Sequence, residues 1–392
     1  MNTLFSEIKS KLFISRWINS NRNVLAIYSR LQAELPKNYR KKFYKIWVLS
    51  HIGARKKLIG RKKKDYSPLT LKISPTMRCN LSCLGCFATD YPVESDMNYQ
   101  HLVKIVEEAN KVGIPSVGVI GGEPLLFSNI FNLFKKFENI GFYLVTNGTK
   151  ITNTVVENLT KLPNVITIFS IDGFEDVNDF LRGEGVFQKI MNSMDMMKSK
   201  GLAFGFSTSV HHKSKADVLS EQFIDLMIDK GCIVGAFLPY IPVGKTPQYH
   251  LICSEEEIAE YYAKLEWYAQ TKSILILKEG WSDGSFLNSG CAAGDTMHIT
   301  EKGEAEPCNG IEFFVDNTDE SSIEEILNSD FFRDIRKLNA QGIKKCITLT
   351  KPDAIFEIVK KYNARPTHEL ALQHLKEYIK IRDTVRLEKT MK

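Results

Sequence analysis

Three of the chain's eight cysteines fall inside eight positions, CNLSCLGC at 79–86. On composition alone, about 0.003 copies of this spacing are expected per chain. Cys79, Cys83 and Cys86, at offsets of four and three, can all face one centre from a single short loop. Thiolate is a soft donor that selects zinc, Cu(I) or iron–sulfur clusters. A structural zinc site closes with four donors, and this loop offers three. Three thiolates can instead hold three corners of a cubane and leave its fourth iron open. Catalytic metal sites keep a position for substrate in the same way.

Such a loop must hang from a rigid frame. LTLKIS (69–74), SVGVI (116–120), FYLVT (142–146), VITIFSI (165–171), GFSTSV (205–210) and VGAFLPYI (234–241) read as strands, with helical stretches between them. Gly113, Gly141, Gly201 and Gly231 read as glycines that end a helix ahead of the next strand. Alternating βα units give a parallel sheet with its site at the carboxyl ends of the strands. Six units predict an α/β fold, a partial (β/α)6 TIM-type barrel, with the cysteine loop after the first strand. ILILK (274–278) offers one more strand. Ser254 and Glu257 form a capping box for a helix over 255–270, and further helices are expected over 321–339 and 367–388.

Hydrophobic and charged fractions of 43% and 25% suit a soluble globular chain, and no apolar run is long enough to span a membrane. Arg16 interrupts LFISRWI, so the first residues do not read as a secretory signal. The chain is expected in the cytoplasm, where thiols stay reduced and a cysteine cluster reads as a metal site. Charge is distributed unevenly. Residues 1–64 carry 17 Lys and Arg against Glu7 and Glu34, a net +15 that leaves −9 for the rest. Pro36 separates two helical stretches in this segment, and RKKKD (61–65) with Ser67-Pro68 reads as a linker. So many cations imply an anionic counterpart: the inner face of a membrane, a nucleic acid, or the acidic remainder of the protein. The expected layout is a basic helical segment over 1–66, the barrel over 67–245, an auxiliary region over 246–350 and C-terminal helices over 351–392.

With CxxxCxxC on the loop after its first strand, the sequence resembles the radical SAM enzymes. The resemblance implies a [4Fe-4S] cluster on Cys79, Cys83 and Cys86, with S-adenosyl-L-methionine on the open iron. It implies reductive cleavage to a 5′-deoxyadenosyl radical that abstracts hydrogen from a substrate, and an electron donor such as flavodoxin or ferredoxin. GGEP, at Gly121, Gly122, Glu123 and Pro124, follows the second strand, where the family's motif receives the cofactor's amino group. TNGT (146–149), with Asn147, ends strand three, and SIDG (170–173) ends strand four. By the same resemblance Ser170 meets the cofactor's ribose or carboxylate. Arg182 is a candidate for the carboxylate, against an ordinary helix-end charge. Asp172 reads as the cap of the following helix. The family's aromatic residue before the third cysteine is Gly85 here, with Phe87 following.

Cys291 and Cys308 bracket CAAGDTMHITEKGEAEPC, which resembles the opening of the SPASM and twitch domains that hold auxiliary iron–sulfur clusters. A β-hairpin turning at Gly303 would bring the two thiols together. The later CxxC of that family is missing, and Cys346 is the thiol that follows. The resemblance therefore implies either a shortened auxiliary cluster on Cys291, Cys308 and Cys346 or the remnant of a lost one. Cys232 reads as a small apolar filler, Cys253 as a residue ahead of a helix cap, and His211, His212 and His298 as packed or solvated histidines. Tyr240 and Asp283 are candidates for lining a substrate pocket.

Three substrate readings follow. SPASM-type relatives modify peptides or proteins. The basic, aromatic-bearing first segment suits adsorption to anionic lipid, and CLGC followed by DYP resembles the cluster loop of hopanoid adenosyltransferases, which points to a membrane lipid or isoprenoid. The same segment as an RNA clamp ranks last, because no RNA-binding module accompanies it. The non-enzymatic alternative is a metal-binding module with zinc on the first cysteines.

Overall fold

The computed structural model describes residues 24–49, 68, 70–88, 96–279, 291–340 and 345–390. Seven parallel strands lie side by side in chain order: β1 (Thr70–Ile73), β2 (Ser116–Val119), β3 (Gly141–Thr146), β4 (Val165–Ser170), β5 (Phe204–Val210), β6 (Val234–Pro239) and β7 (Leu275–Lys278). All six expected strands are present, and ILILK supplies the seventh. The helix Glu255–Thr271 starts in the expected capping box of Ser254 and Glu257.

The register places alternate residues on two faces. Leu71, Val117, Phe142, Phe169, Phe206 and Phe237 face the surrounding helices and have no exposed surface. Their opposites differ. Lys72, Tyr143, Val145, Ser170, Ser207 and Leu277 point inward and are only half-buried. A closed eightfold barrel fills its interior with side chains, whereas this one keeps an open lumen. The sheet curls far enough for Lys72 Nζ on β1 to lie 3.3 Å from Glu279 Oε2, just past β7.

At the other edge, β8 (His298–Ile299) runs parallel to β1, and β9 (Ala305–Glu306) folds back on β8. Gly303 takes the left-handed conformation in the turn, at φ 80°, as the hairpin requires. The N–H groups of Lys72 and Ser74 donate to the carbonyls of Met297 and Ile299, at 2.9 Å each. The hairpin that follows Cys291 is thus a continuation of the barrel sheet. Two further short strands, β10 (Phe313–Phe314) and β11 (Arg365–Pro366), pair with each other.

The described part of the basic segment forms the barrel's floor. Leu31, Leu35, Tyr39, Phe43, Ile46 and Trp47 are all buried. Arg30 donates to the carbonyls of Ser273 (2.7 Å) and Cys232 (3.1 Å), just ahead of β7 and β6. The Trp47 ring stands edge-on to Tyr143, with centroids 4.6 Å apart. Lys37, Lys41, Lys42 and Lys45 are exposed on the opposite face. Residues 1–23, the linker at 61–65 and Ser67 lie outside the described residues, as do Asp283 and the DYP of 90–92.

Three expectations need correction. Gly141 ends no helix; it is the first residue of β3, and a Cβ there would lie 2.9 Å from the Trp47 ring. Gly113 and Gly231 do cap helices in left-handed geometry. The stretch 321–339 is two helices, Ile323–Leu327 and Asp330–Asn339, because Ser329 caps a new N-terminus by accepting from Phe332 N–H. The last helix begins at Ala371 rather than 367, and Pro352–Lys361 is the other helix of the C-terminal helical region expected over 351–392. No described helix is long and apolar enough to cross a membrane.

Candidate functional site

The first cysteine loop is anchored at its entry and at its middle. Arg78 forks onto Asp96 and donates to the Leu126 carbonyl at 3.0 Å, which fixes the backbone entering Cys79. Leu84 N–H donates to the Leu181 carbonyl at 2.8 Å, tying the loop's middle to the helix Glu175–Arg182. Arg78 was not singled out in the sequence; its place next to Cys79 was the available signal.

The three thiols share one neighbourhood. Cys79 is exposed, while Cys83 and Cys86 are half-buried. Burial pushes Cys83 up to about 12, partly offset by the Arg182 cation and reinforced by Cys86 and Cys79. Burial also raises Cys79. Asn147 Nδ2 donates to Cys79 Sγ at 3.7 Å, and Ala88 N–H to Cys86 Sγ at 3.4 Å. Such N–H donors are what a cluster-bound sulfur uses for outer support. Among the described residues no three of His, Cys, Asp and Glu close on a single metal ion. In a cubane each thiolate binds its own iron, so its ligands stand further apart than those of one ion.

GGEP packs directly against this loop. The N–H groups of Gly122 and Glu123 donate to the carbonyls of Thr76 (3.0 Å) and Arg78 (2.8 Å). A Cβ on either glycine would run into that backbone, which is why the positions are Gly121 and Gly122. Pro124 opens a 3-10 turn. Glu123 is fully buried and accepts from Thr146 Oγ1 (2.8 Å), Asn147 N–H (2.8 Å) and Leu125 N–H (3.0 Å). It braces GGEP to TNGT.

Ser170 ends β4 on the lumen side, beside Ser207 of β5. Arg182 meets Asp172 in a buried ion pair, at 2.7 and 2.9 Å, next to Cys83. Asp172 is therefore not a helix cap. Besides Arg182 it accepts from Ser209 N–H (2.8 Å) and Thr208 Oγ1 (3.3 Å), while the helix starts after Phe174 without a side-chain cap. Gly85 adopts a φ of 71°, and Tyr240 Oη lies 2.8 Å from where its Cβ would be. The space beside the missing aromatic thus holds the ring of Tyr240.

Cys291, Cys308 and Cys346 lie close enough to act on one another electrostatically, and Cys291 and Cys346 are buried. The Cys346 thiol, and then burial, push Cys291 well above the ordinary thiol range. Cys308 is pushed up to about 12 by burial first and by Cys291 second, and accepts from Gly310 N–H at 3.4 Å. Cys232 lies fully buried at the opposite end of the barrel, beside Arg30, and Cys253 turns its thiol to the Val210 carbonyl. Both behave as structural thiols.

The histidines are packed or solvated as expected. His211 Nδ1 accepts from Ser214 N–H at 3.1 Å, and His212 pairs with Glu257 in solvent. His298 has more structure around it: Ser74 Oγ lies 2.7 Å from its Nε2 and Glu306 Oε2 lies 2.6 Å from its Nδ1, all buried. This chain of bonds stitches β1 to the β8–β9 hairpin. A small acidic cavity lies beyond it, walled by Phe87, Glu301, Glu304 and Glu312.

Comparison with known proteins agrees with this arrangement. Residues 73–219 match the radical SAM superfamily, and residues 291–348 match SPASM, an iron–sulfur cluster-binding domain. A GTP 3′,8-cyclase of Petrotoga mobilis is 26% identical over 64% of this chain and 84% of its own length. The sporulation killing factor maturation protein SkfB of Bacillus subtilis is 23% identical over 62% of this chain and 61% of its own. In fold, the chain is similar to Streptococcus suis SuiB, solved with S-adenosylmethionine, at a TM-score of 0.59 and 20% identity over 76% of this chain and 74% of that one.

Proposed function

The chain is a radical SAM enzyme with a C-terminal SPASM domain, and on that premise we propose that it removes a hydrogen atom from a peptide or protein group held in the barrel lumen. Cys79, Cys83 and Cys86 would hold a [4Fe-4S] cluster, and Cys291, Cys308 and Cys346 an auxiliary one. When bound, the first cluster and S-adenosyl-L-methionine supply one-electron cleavage of a carbon–sulfur bond and a 5′-deoxyadenosyl radical that takes the hydrogen atom. The chain's own residues do the positioning. Gly121, Gly122 and Pro124 keep backbone close to the cysteine loop, and Glu123 holds it rigid. Asn147 and Ser170 line the carboxyl end of the lumen. Arg182 is the cation a cofactor carboxylate would meet, steadied by Asp172. Exposed Cys79 marks the side from which a ferredoxin or flavodoxin would reduce the cluster.

The observation that carries this reading is the open lumen between two cysteine triads. Its chemistry narrows the substrate. Lys72 is the one cation among the inward positions of β1 to β7, and it faces Glu279. A triphosphate would ask for several cations. A peptide suits a neutral lumen better, and SkfB is named a maturation protein while SuiB is also solved with its precursor peptide. The lipid or isoprenoid reading rests on the basic segment, but among its described residues Leu25 is the large apolar side chain left exposed, and Leu31, Leu35, Tyr39, Phe43, Ile46 and Trp47 are buried under the barrel. They lie at the amino ends of the strands, opposite the cysteine loop. We place the enzyme in the cytoplasm; among the described residues, peripheral attachment to the membrane's inner face would use the outward lysines.

Anaerobic protein with dithionite and S-adenosyl-L-methionine should release 5′-deoxyadenosine, faster when the right peptide is added. Colourless protein with one zinc per chain and no 5′-deoxyadenosine would overturn the reading in favour of a metal-binding module.

A further inference from the structure

We infer that Lys72 and Glu279, a charged pair in the barrel lumen, set the electrostatic potential at the second cysteine triad, Lys72 raising the reduction potential of a cluster held there and Glu279 lowering it. The inference rests on the proposal that Cys291, Cys308 and Cys346 hold an auxiliary cluster.

Four observations place the pair there. Lys72 and Glu279 come from the two ends of the seven-strand run, yet Nζ and Oε2 are 3.3 Å apart. The pair therefore spans the lateral gap in the barrel instead of lying within one wall. Gly118, the neighbour of Lys72 on β2, has no side chain, and the lysine stem packs over it with Cγ 3.4 Å from a hypothetical Cβ. Lys72 is in register with His298 on β8, and β9 leads from Glu306 to Cys308 within two residues. On the other side, Tyr262 donates to the Glu279 carbonyl at 3.2 Å, and its hydroxyl is raised by burial first and in smaller part by Cys346 and Cys291. The register thus sets Lys72 on the strand beside the hairpin whose second strand runs into Cys308, and Glu279 reaches the same place through its contact with Lys72.

The sign follows from Coulomb's law. Reduction adds negative charge to a cluster, so a nearby cation favours the reduced state and a nearby anion opposes it. Neither charge is sealed off. The side chain of Lys72 is 23% exposed and that of Glu279 is 41% exposed, both toward the half-open lumen. A substrate group entering the lumen meets the same pair, so its arrival is felt at the triad.

The test uses the full-length chain with Cys79, Cys83 and Cys86 changed to Ala, so that only an auxiliary cluster remains. The protein is reconstituted anaerobically and titrated with redox dyes while the reduced cluster is followed by electron paramagnetic resonance. Lys72→Met should shift the midpoint to more negative potential and Glu279→Gln to more positive potential, while Lys72→Arg, which keeps the charge, should leave it unchanged. Equal shifts for Lys72→Met and Lys72→Arg, or no shift for either Lys72→Met or Glu279→Gln, would overturn the inference. Circular dichroism reports folding, and if Lys72→Met does not fold, Glu279→Gln carries the test through its opposite sign. A parent that binds no iron removes the auxiliary-cluster proposal itself, an outcome distinct from an iron-loaded parent whose potential does not respond.

Discussion

The two cysteine triads, each proposed to hold a cluster, are assembled by different routes. Cys79, Cys83 and Cys86 belong to one loop near the surface, held by Arg78 and by the Leu84 amide. Cys291, Cys308 and Cys346 come from three segments and meet in the interior: Asn339 holds the Cys291 carbonyl, β9 delivers Cys308, and Cys346 starts the short helix Ile347–Thr350. The first triad is a property of the loop; the second is a property of the fold. Emptying the first should therefore abolish chemistry and spare the structure, and emptying the second should do more harm to the structure.

The largest expected effect breaks the comparison if it fails. Changing Cys79, Cys83 and Cys86 together to Ala should abolish 5′-deoxyadenosine formation and leave the melting temperature within about a degree, since these positions pack little. Changing Cys291, Cys308 and Cys346 together should lower the melting temperature by several degrees, because buried ligands couple metal binding to folding. Cofactor cleavage should survive in the second variant. Iron counts and thermal melts on the two variants check both halves. Equal destabilisation would show that the loop triad is also a folding element.

The next effect belongs to the first region. Arg182 and Asp172 form its one buried ion pair, with 14% and 10% of the side chains exposed. Arg182→Met strands the Asp172 carboxylate beside Cys83 and should cost about 3 kcal/mol. Urea unfolding measures that loss, and a matching loss of S-adenosyl-L-methionine binding would show that this pair orders the loop. Smaller, and shared by both regions, is the seam at His298. His298→Ala leaves Ser74 and Glu306 without their partner and should cost about 2 kcal/mol. Hydrogen exchange should rise in β1 and in the β8–β9 hairpin together.

The same contrast explains what the sequence made legible. CNLSCLGC, GGEP and the βα alternation are local patterns, and the structure has each strand where the periodicity placed it. The Gly303 turn was legible for the same reason. Asp172 was misread because a residue ahead of a helix reads as a cap, and nothing local shows that Arg182, Thr208 and Ser209 compete for it. Gly141 was misread because its constraint is the Trp47 ring, almost a hundred residues earlier in the chain. The basic segment stayed open between a membrane, a nucleic acid and the rest of the protein, since the barrel surface that covers Tyr39, Phe43 and Trp47 exists only after folding. The Lys72–Glu279 pair depends on the curl of the sheet, which no window of sequence contains.

The smallest effect sharpens the comparison by acting on the second region alone. Glu304, on the β8–β9 hairpin, is pushed up from an ordinary 4.5 to about 7, mainly by burial, with Glu301 and Glu306 adding to the rise. A carboxyl whose folded value lies above its unfolded value keeps its proton longer in the folded chain. The stability tied to that proton is fully present below about 4.5 and is lost as pH rises through about 7. Hydrogen-exchange protection in residues 291–312, corrected for the intrinsic pH dependence of amide exchange, should therefore fall between these limits; the cysteine loop has its own raised carboxyl, Glu123, so its response should not depend on Glu304. Glu304→Gln removes the titrating proton and should flatten the response of the hairpin. A pH response that persists in Glu304→Gln would assign it to a different carboxyl of the acidic cavity, with Glu301 the next to change.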